Sequence, residues 1–357
     1  MSLLRFKETL TPGFPQTIPG DIDTFIRNTP FLKRFTKYLK RHLLLWLTRQ
    51  TALETQTIPE QSKRILWINL SSPSLGDTLM DLAGRSLLGN REITLLTDPF
   101  TVQLYQSDHF FQHATADPEA LINRPFDHVL IDSYGTKGIR TKLKLAANTP
   151  FSGMYGFFDG PEINKVLFSY FRINYLLGSP QQTDAINQQA TTHIYPGEQE
   201  QLKIHSLKLS DDFITIAVGG EWDHRVYSHW AEVIQQLPET LHITLIGSNN
   251  GTSDAQNITY TCKAHAISNF VGELSIMETT ALISKSQLLI CADGGLMHIA
   301  HGVMTPTITL FATVQPKHFT TNANQTVALF DDVAVRNIPP ADLVTLIKQA
   351  LSEQGVD

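Results

Sequence analysis

The segment Leu288-Leu289-Ile290-Cys291-Ala292-Asp293-Gly294-Gly295-Leu296-Met297-His298-Ile299-Ala300 constrains this chain most. An apolar run stops at an acid and two glycines, and helix-compatible sequence follows at once. It predicts a buried strand, a turn and a helix. Glycine permits close backbone approach and positive φ, and the first amides of a helix have no acceptor within it, so the corner suits an anion. Asp293 would repel a phosphate, which makes hydroxyls of a sugar attached to that phosphate its better partner. On this reading Asp293, Gly294, Gly295 and His298 form a donor site for a nucleotide sugar. The plainer alternative makes Asp293 a turn former and His298 a packed core histidine.

The same texture recurs along the chain. From Arg64 onward, Ile65–Leu70, Ile93–Leu96 and His128–Ile131 read as parallel strands followed by polar turns, with a helix at Thr78–Leu88. A less regular stretch follows, with Gly153, Gly156, Gly160 and Pro161 in loops and helical character over Asn164–Leu177. A second α/β unit starts at Phe213–Val218 and continues through Ile243–Ile246, a helix at Met277–Ser284, the strand ending at Cys291 and Thr307–Phe311. The expected fold is α/β, with two Rossmann-like domains facing a cleft and a helical extension in front. The expected domains are an extension at 1–60, a first domain at 61–190, a second at 191–338, and a last helix at 339–357 that either caps the second domain or crosses back to the first.

The extension stands apart. Thr29-Pro30 is a helix start, with Phe31, Leu32, Phe35, Leu39, Leu43, Trp46 and Leu47 at helical spacing and Lys33, Arg34, Lys37, Lys40 and Arg41 opposite them. No acid occurs between Thr24 and Leu53, although the whole chain carries a net charge of −6. Two readings stand: a helix packed on the domain behind it with a solvated basic face, or a surface helix whose basic residues touch anionic lipid or an anionic acceptor.

With 357 residues, 42% of them apolar and 17% charged, the chain has material for two globular cores. The mild acidity gives no footing to a nucleic-acid binder. Cys262 and Cys291 are far apart among apolar residues, which predicts buried thiols in a reducing compartment. No window approaches the roughly 20 apolar residues of a spanning helix, and no signal-peptide pattern opens the sequence, so the expectation is a cytosolic protein.

Three further corners carry polar side chains. Ser71-Ser72-Pro73-Ser74-Leu75-Gly76-Asp77-Thr78 places Asp77 at the carboxyl end of the first strand, where it is either a reacting acid or a complement to a helix dipole. Gly219-Gly220-Glu221-Trp222-Asp223-His224-Arg225 offers amides and a cation to a diphosphate, or is a surface loop. Val271-Gly272-Glu273 offers Glu273 to a ribose, or is a structural turn. The P-loop, the dinucleotide fingerprint, a metal cage and a serine-hydrolase elbow are all missing.

Together these segments resemble glycosyltransferase family 9, the heptosyltransferases of lipopolysaccharide core assembly. Ser72 to Leu79 match the family's Ser-Ser-x-Gly-Asp-x-Leu turn, and Phe126 to Asp132 match its Phe-Asp-x-x-Ile-Asp strand with one extra residue. Asp293 to Ala300, followed by Pro306-Thr307-Ile308-Thr309-Leu310-Phe311, match its most specific signature. The likeness spans about residues 64 to 335 and implies a GT-B enzyme that binds acceptor on the first domain and ADP-heptose on the second, inverting the anomeric carbon. It further implies Asp77 as general base, Asp293 on the donor sugar, Gly294 and Gly295 near the diphosphate and Glu273 near the ribose. No cofactor is implied beyond the nucleotide sugar, since amides and a cation carry the leaving-group charge; the acceptor would be lipopolysaccharide core at the inner face of the inner membrane. The chain departs from the family at Gly219-Gly220 and His224-Arg225-Val226-Tyr227-Ser228, where a small or hydroxyl pair and Lys-x-Trp-Pro are usual, and at Ala312-Thr313. Arg225 supplies the cation with a planar fork in place of a lysine. Another nucleotide sugar, or a catalytically silent sugar-nucleotide or glycolipid binder, are the alternatives.

Overall fold

A computed structural model describes residues 30–72, 74–154, 163–210 and 212–353. Residues 1–29 of the extension, including Thr29, as well as Pro73, Gly156, Gly160 and Pro161, lie outside the described residues, as do the side chains of Arg34 and Lys37. The chain divides into two compact units, one up to Ala190 and one from Thr191.

The first unit runs α1 (Phe31–Leu47), β1 (Arg64–Ile68), α2 (Leu75–Asp81), β2 (Glu92–Leu96), β3 (Phe111–Thr115), β4 (His128–Ile131), α3 (Thr136–Ala146), β5 (Phe151–Gly153), α4 (Lys165–Leu176) and α5 (Thr183–Gln189). Its parallel sheet has the order β3-β2-β1-β4-β5. Central strands must be apolar on both faces, and Ile65 to Ile68 are all buried, in register with Ile93–Leu96 on one side and His128–Ile131 on the other. Leu66, Ile68, Val129 and Ile131 share a core with Leu45, Ile139 and Leu145. The helix expected over Thr78–Leu88 is shorter: α2 ends at Asp81, and Ala83–Leu88 tightens into a 3₁₀ turn. Gly84 lies against α4 there, where a Cβ would stand 2.7 Å from the Ser169 carbonyl.

The apolar residues of α1 are not its packing face. Tyr38, Arg41 and Leu45 turn inward, while Phe35, Leu39, Leu43, Trp46 and Leu47 are exposed. Polar anchors decide this rotation. Arg41 pairs with Glu54, and its guanidinium carbon lies 3.5 Å from the centre of the Tyr134 ring, whose hydroxyl donates to Glu54 at 2.6 Å. Below it, Gln50 receives a hydrogen bond from the buried Lys142 and donates to the Ala147 carbonyl. Arg41 therefore belongs to the join between α1 and the sheet, apart from the exposed basic residues.

The second unit runs α6 (Glu198–Ser206), β6 (Phe213–Ala217), α7 (Trp230–Ile234), β7 (His242–Ile246), α8 (Thr252–Thr261), β8 (Ile267–Asn269), α9 (Ile276–Ile283), β9 (Leu288–Ala292), α10 (Gly295–Gly302), β10 (Thr307–Ala312), β11 (Thr326–Asp331) and α11 (Pro340–Glu353). Its parallel sheet has the order β11-β10-β9-β6-β7-β8. A capping box, Ser275 with Glu278, starts α9 and satisfies two helix-end donors. The closing helix α11 buries Leu343, Val344, Ile347 and Leu351 in this unit's core beside Val233 and Ile234.

In each sheet the strand order reverses beside the unit's first strand, between β1 and β4 and between β6 and β9. Loops at the carboxyl ends diverge at such a point and open a crevice for ligands.

Candidate active site

In the first unit, Asp77 sits in the loop-to-helix corner after β1. Ser74 caps α2, accepting from the Asp77 amide at 3.2 Å, and its hydroxyl donates to Asp77 Oδ2 at 2.7 Å. The other carboxylate oxygen, Oδ1, accepts from Lys165 Nζ at 2.5 Å. Both oxygens are thus oriented, and the side chain remains 21% exposed, within reach of a ligand. Sequence reasoning missed Lys165. A usable signal existed: a lysine at the first position of a helix opposes its dipole, so a nearby acid is expected to offset it. Asp132, at the end of β4, is buried and structural. It accepts from the Leu70 and Ser133 amides and so ties the β1 turn to β4, and burial holds its carboxyl above the usual range.

In the second unit the loops after β6 and β9 meet at the reversal point. Arg225 Nη2 lies 3.0 Å from Asp293 Oδ2, and the Asp293 side chain is nearly inaccessible while Arg225 is partly open. Arg225 neutralises the acid beside the proposed phosphate position, which removes the repulsion argued from sequence. Among the described residues Arg225 Nε has no hydrogen-bond partner, leaving a buried donor on the same fork.

The glycines divide the work. Gly219 has φ +87°, and a Cβ there would stand 2.8 Å from Asn250 Oδ1, so both conformation and space require glycine. Asn250 also donates to the Gly220 carbonyl at 2.8 Å, seating this loop on the turn after β7. Gly294 differs from expectation, because its φ of 160° is extended backbone and not left-handed. Among the described residues nothing lies within 4 Å of a Cβ built on it, so there is room there for a close ligand. The amides of Gly295 and the next residues lead α10 and have no acceptor within the helix. Glu273 is exposed in the turn after β8. That turn abuts the β7 loop at Gly272, where a Cβ would meet Asn249 Oδ1 at 2.2 Å.

His298 is placed differently. It is buried, with its ring 5.9 Å from that of His301 and 6.0 Å from that of Phe319, which is the packing arrangement. Arg336, missed in the sequence, pairs with Asp223 and pins the loop carrying Arg225. Cys291 is a buried free thiol pushed up to about 12 by its apolar surroundings, so it takes no part as a nucleophile at neutral pH. Among the described residues no cluster of His, Cys, Asp and Glu is grouped to hold a metal ion.

Known structures share this architecture. A glycosyl transferase family 9 structure from Veillonella parvula superposes with a TM-score of 0.69 at 15% identity, over 84% of this chain and 100% of that one. E. coli ADP-heptose lps heptosyltransferase II gives 0.61 at 18% identity, over 82% and 99%. E. coli heptosyltransferase WaaC with ADP gives 0.63 at 14% identity, over 80% and 99%. No curated protein sequence matches. The two parallel α/β domains, with a polar corner at each reversal point, share the GT-B-type fold of these glycosyltransferase structures. Residues 172–334 match the model of glycosyltransferase family 9 (heptosyltransferase), which supports a glycosyltransferase.

Proposed function

We propose that this chain moves a heptose from ADP-heptose to a lipopolysaccharide core acceptor at the inner face of the bacterial inner membrane, with inversion at the anomeric carbon. The observation that carries the reading is the Arg225–Asp293 pair beside the open space at Gly294 at the β6/β9 reversal. It joins a cation for a diphosphate to an acid for sugar hydroxyls at the leading amides of a helix.

In this mechanism Asp77 takes the proton from an acceptor hydroxyl while that oxygen attacks the anomeric carbon from the face opposite the leaving group. The bond to the β-phosphate oxygen breaks and its electron pair leaves with ADP. Amides of Gly219, Gly220, Gly294 and Gly295, with Arg225, meet the charge that develops on the diphosphate. Asp293 and Glu273 hold hydroxyls of the sugar and the ribose. Lys165 and Ser74 hold the carboxylate of Asp77 in one rotamer.

A thermal-shift panel of ADP, UDP, GDP and CMP sugars, followed by transfer assays with the best binder, tests this. Stabilisation by ADP-heptose together with transfer to a core acceptor is the expected result. A shift with another nucleotide sugar alone would reassign the donor, and binding without transfer or hydrolysis would mark a silent binding protein.

A further inference from the structure

Helix α1 carries seven exposed large apolar side chains in 17 residues: Phe31, Leu32, Phe35, Leu39, Leu43, Trp46 and Leu47. At about 100° per residue they share an arc of roughly 160°. Tyr38, Arg41 and Leu45 form a separate inward arc, and the exposed Lys33 and Lys40 border the apolar arc on its far side. The helix thus has three faces, one bound to the domain, one apolar and exposed, one basic.

The polar anchors also fix its direction. Arg41 stacks on Tyr134, just beyond the carboxyl end of β4, whereas Gln50, past the end of the helix, bonds Ala147 at the far end of α3. The first half of α1 accordingly lies toward the carboxyl edge of the sheet, the edge that holds Asp77. No helix among the described residues is long and apolar enough to cross a membrane. A helix of this length, about 25 Å, with lysines along its body suits an in-plane position. Charge selects the occupant: a second copy of a chain with net charge −6 would bring an apolar arc and more lysines to the same face, whereas an anionic bilayer offers acyl chains and negative headgroups together.

We infer that α1 is an in-plane anchor that seats the first unit on an anionic bilayer, with Leu39, Leu43 and Trp46 among the acyl chains and Lys33 and Lys40 at headgroup level. It thereby holds the first unit, with the carboxyl edge of its sheet beside the first half of α1, at the membrane surface, where a lipid-linked acceptor is presented. The docking stands whatever sugar is moved; the delivery of acceptor rests on the transfer reading above.

Flotation of the full chain with phosphatidylethanolamine/phosphatidylglycerol vesicles, and with phosphatidylcholine vesicles, tests the anchor. Expected are preference for the anionic vesicles, loss of at least about tenfold in partitioning for Leu39→Ser/Leu43→Ser, and about fivefold for each charge removed in Lys33→Gln/Lys40→Gln. Brominated lipid should quench Trp46 in a Trp222→Phe background, which reads insertion even if the serine variant fails to fold. Undiminished partitioning of a folded serine variant, or unquenched Trp46 on bound protein, overturns the proposal. So does failure to bind vesicles combined with a dimer in sedimentation that the serine variant abolishes. Donor hydrolysis without vesicles reports on the transfer reading separately.

Discussion

Arg225 Nη2 and Asp293 Oδ2, 3.0 Å apart, join two loops that are 68 positions apart in the chain and adjacent only because β6 and β9 pair in the sheet. Each residue bears on the other: in the proposed donor site the guanidinium would offset the acid beside a diphosphate, and the acid aims the guanidinium.

Replacing Arg225 by alanine leaves a nearly inaccessible carboxylate without its cation. We expect a loss of about 1–3 kcal/mol in urea unfolding, with donor KM raised at least about tenfold. Arg225→Lys should restore most of the stability and less of the donor affinity, since the fork is lost. Equal donor affinity in the wild type and Arg225→Ala would remove Arg225 from the donor site.

Asp77→Asn should lower kcat by about two to four orders of magnitude with donor binding unchanged, as for loss of a general base. Lys165→Met should lower kcat by roughly tenfold while Asp77 stays in place, because a side-chain donor that orients it is gone. Titration calorimetry with the donor and steady-state kinetics separate the two effects. Near-full turnover in a folded Asp77→Asn protein would end the base assignment.

Arg85 and Asp108 form an ion pair with both side chains fully inaccessible, Nε to Oδ2 at 2.8 Å. Arg85→Met alone should destabilise by about 3–5 kcal/mol because it strands a buried carboxylate, and adding Asp108→Leu should recover much of that loss. Chemical unfolding of the two variants checks it; matching losses would mean that packing, and not charge, dominates.

His128 is buried with Nε2 3.2 Å from Ser152 Oγ, and burial, with Lys142 and Arg91 nearby, pulls it down to about 4 from 6.5. The folded form prefers neutral imidazole, so its contribution is intact above pH 6.5 and is lost as pH falls toward 4, by about 3 kcal/mol in full. His301, also held low by burial, acts in the same direction. His128→Asn should flatten the fall of Tm between pH 6.5 and 4; an unchanged slope would exclude His128 as its source.

The parts of the fold legible in the sequence are the central strands. Ile65–Ile68, His128–Ile131, Phe213–Ala217 and Leu288–Cys291 are apolar but for His128 and Thr215, because both faces of a parallel sheet are covered. The strands that escaped notice, β3, β5, β8 and β11, are the outermost of each sheet. β3, β8 and β11 are partly exposed, and β5 and β8 have only three residues, so no periodic signature marks them.

By itself, then, the sequence determined the two α/β units, their buried strands and the corners bearing Asp77 and Asp293, because local patterning and turn chemistry are encoded over a few residues. The tertiary structure decided which side chains meet: Lys165 with Asp77, Arg225 with Asp293, and Arg41 with Glu54 and Tyr134. Those pairings depend on strand order and helix rotation. In α1 the periodicity marked an apolar face correctly but could not say which way it turns, since long-range polar anchors, and not the stripe, set the rotation.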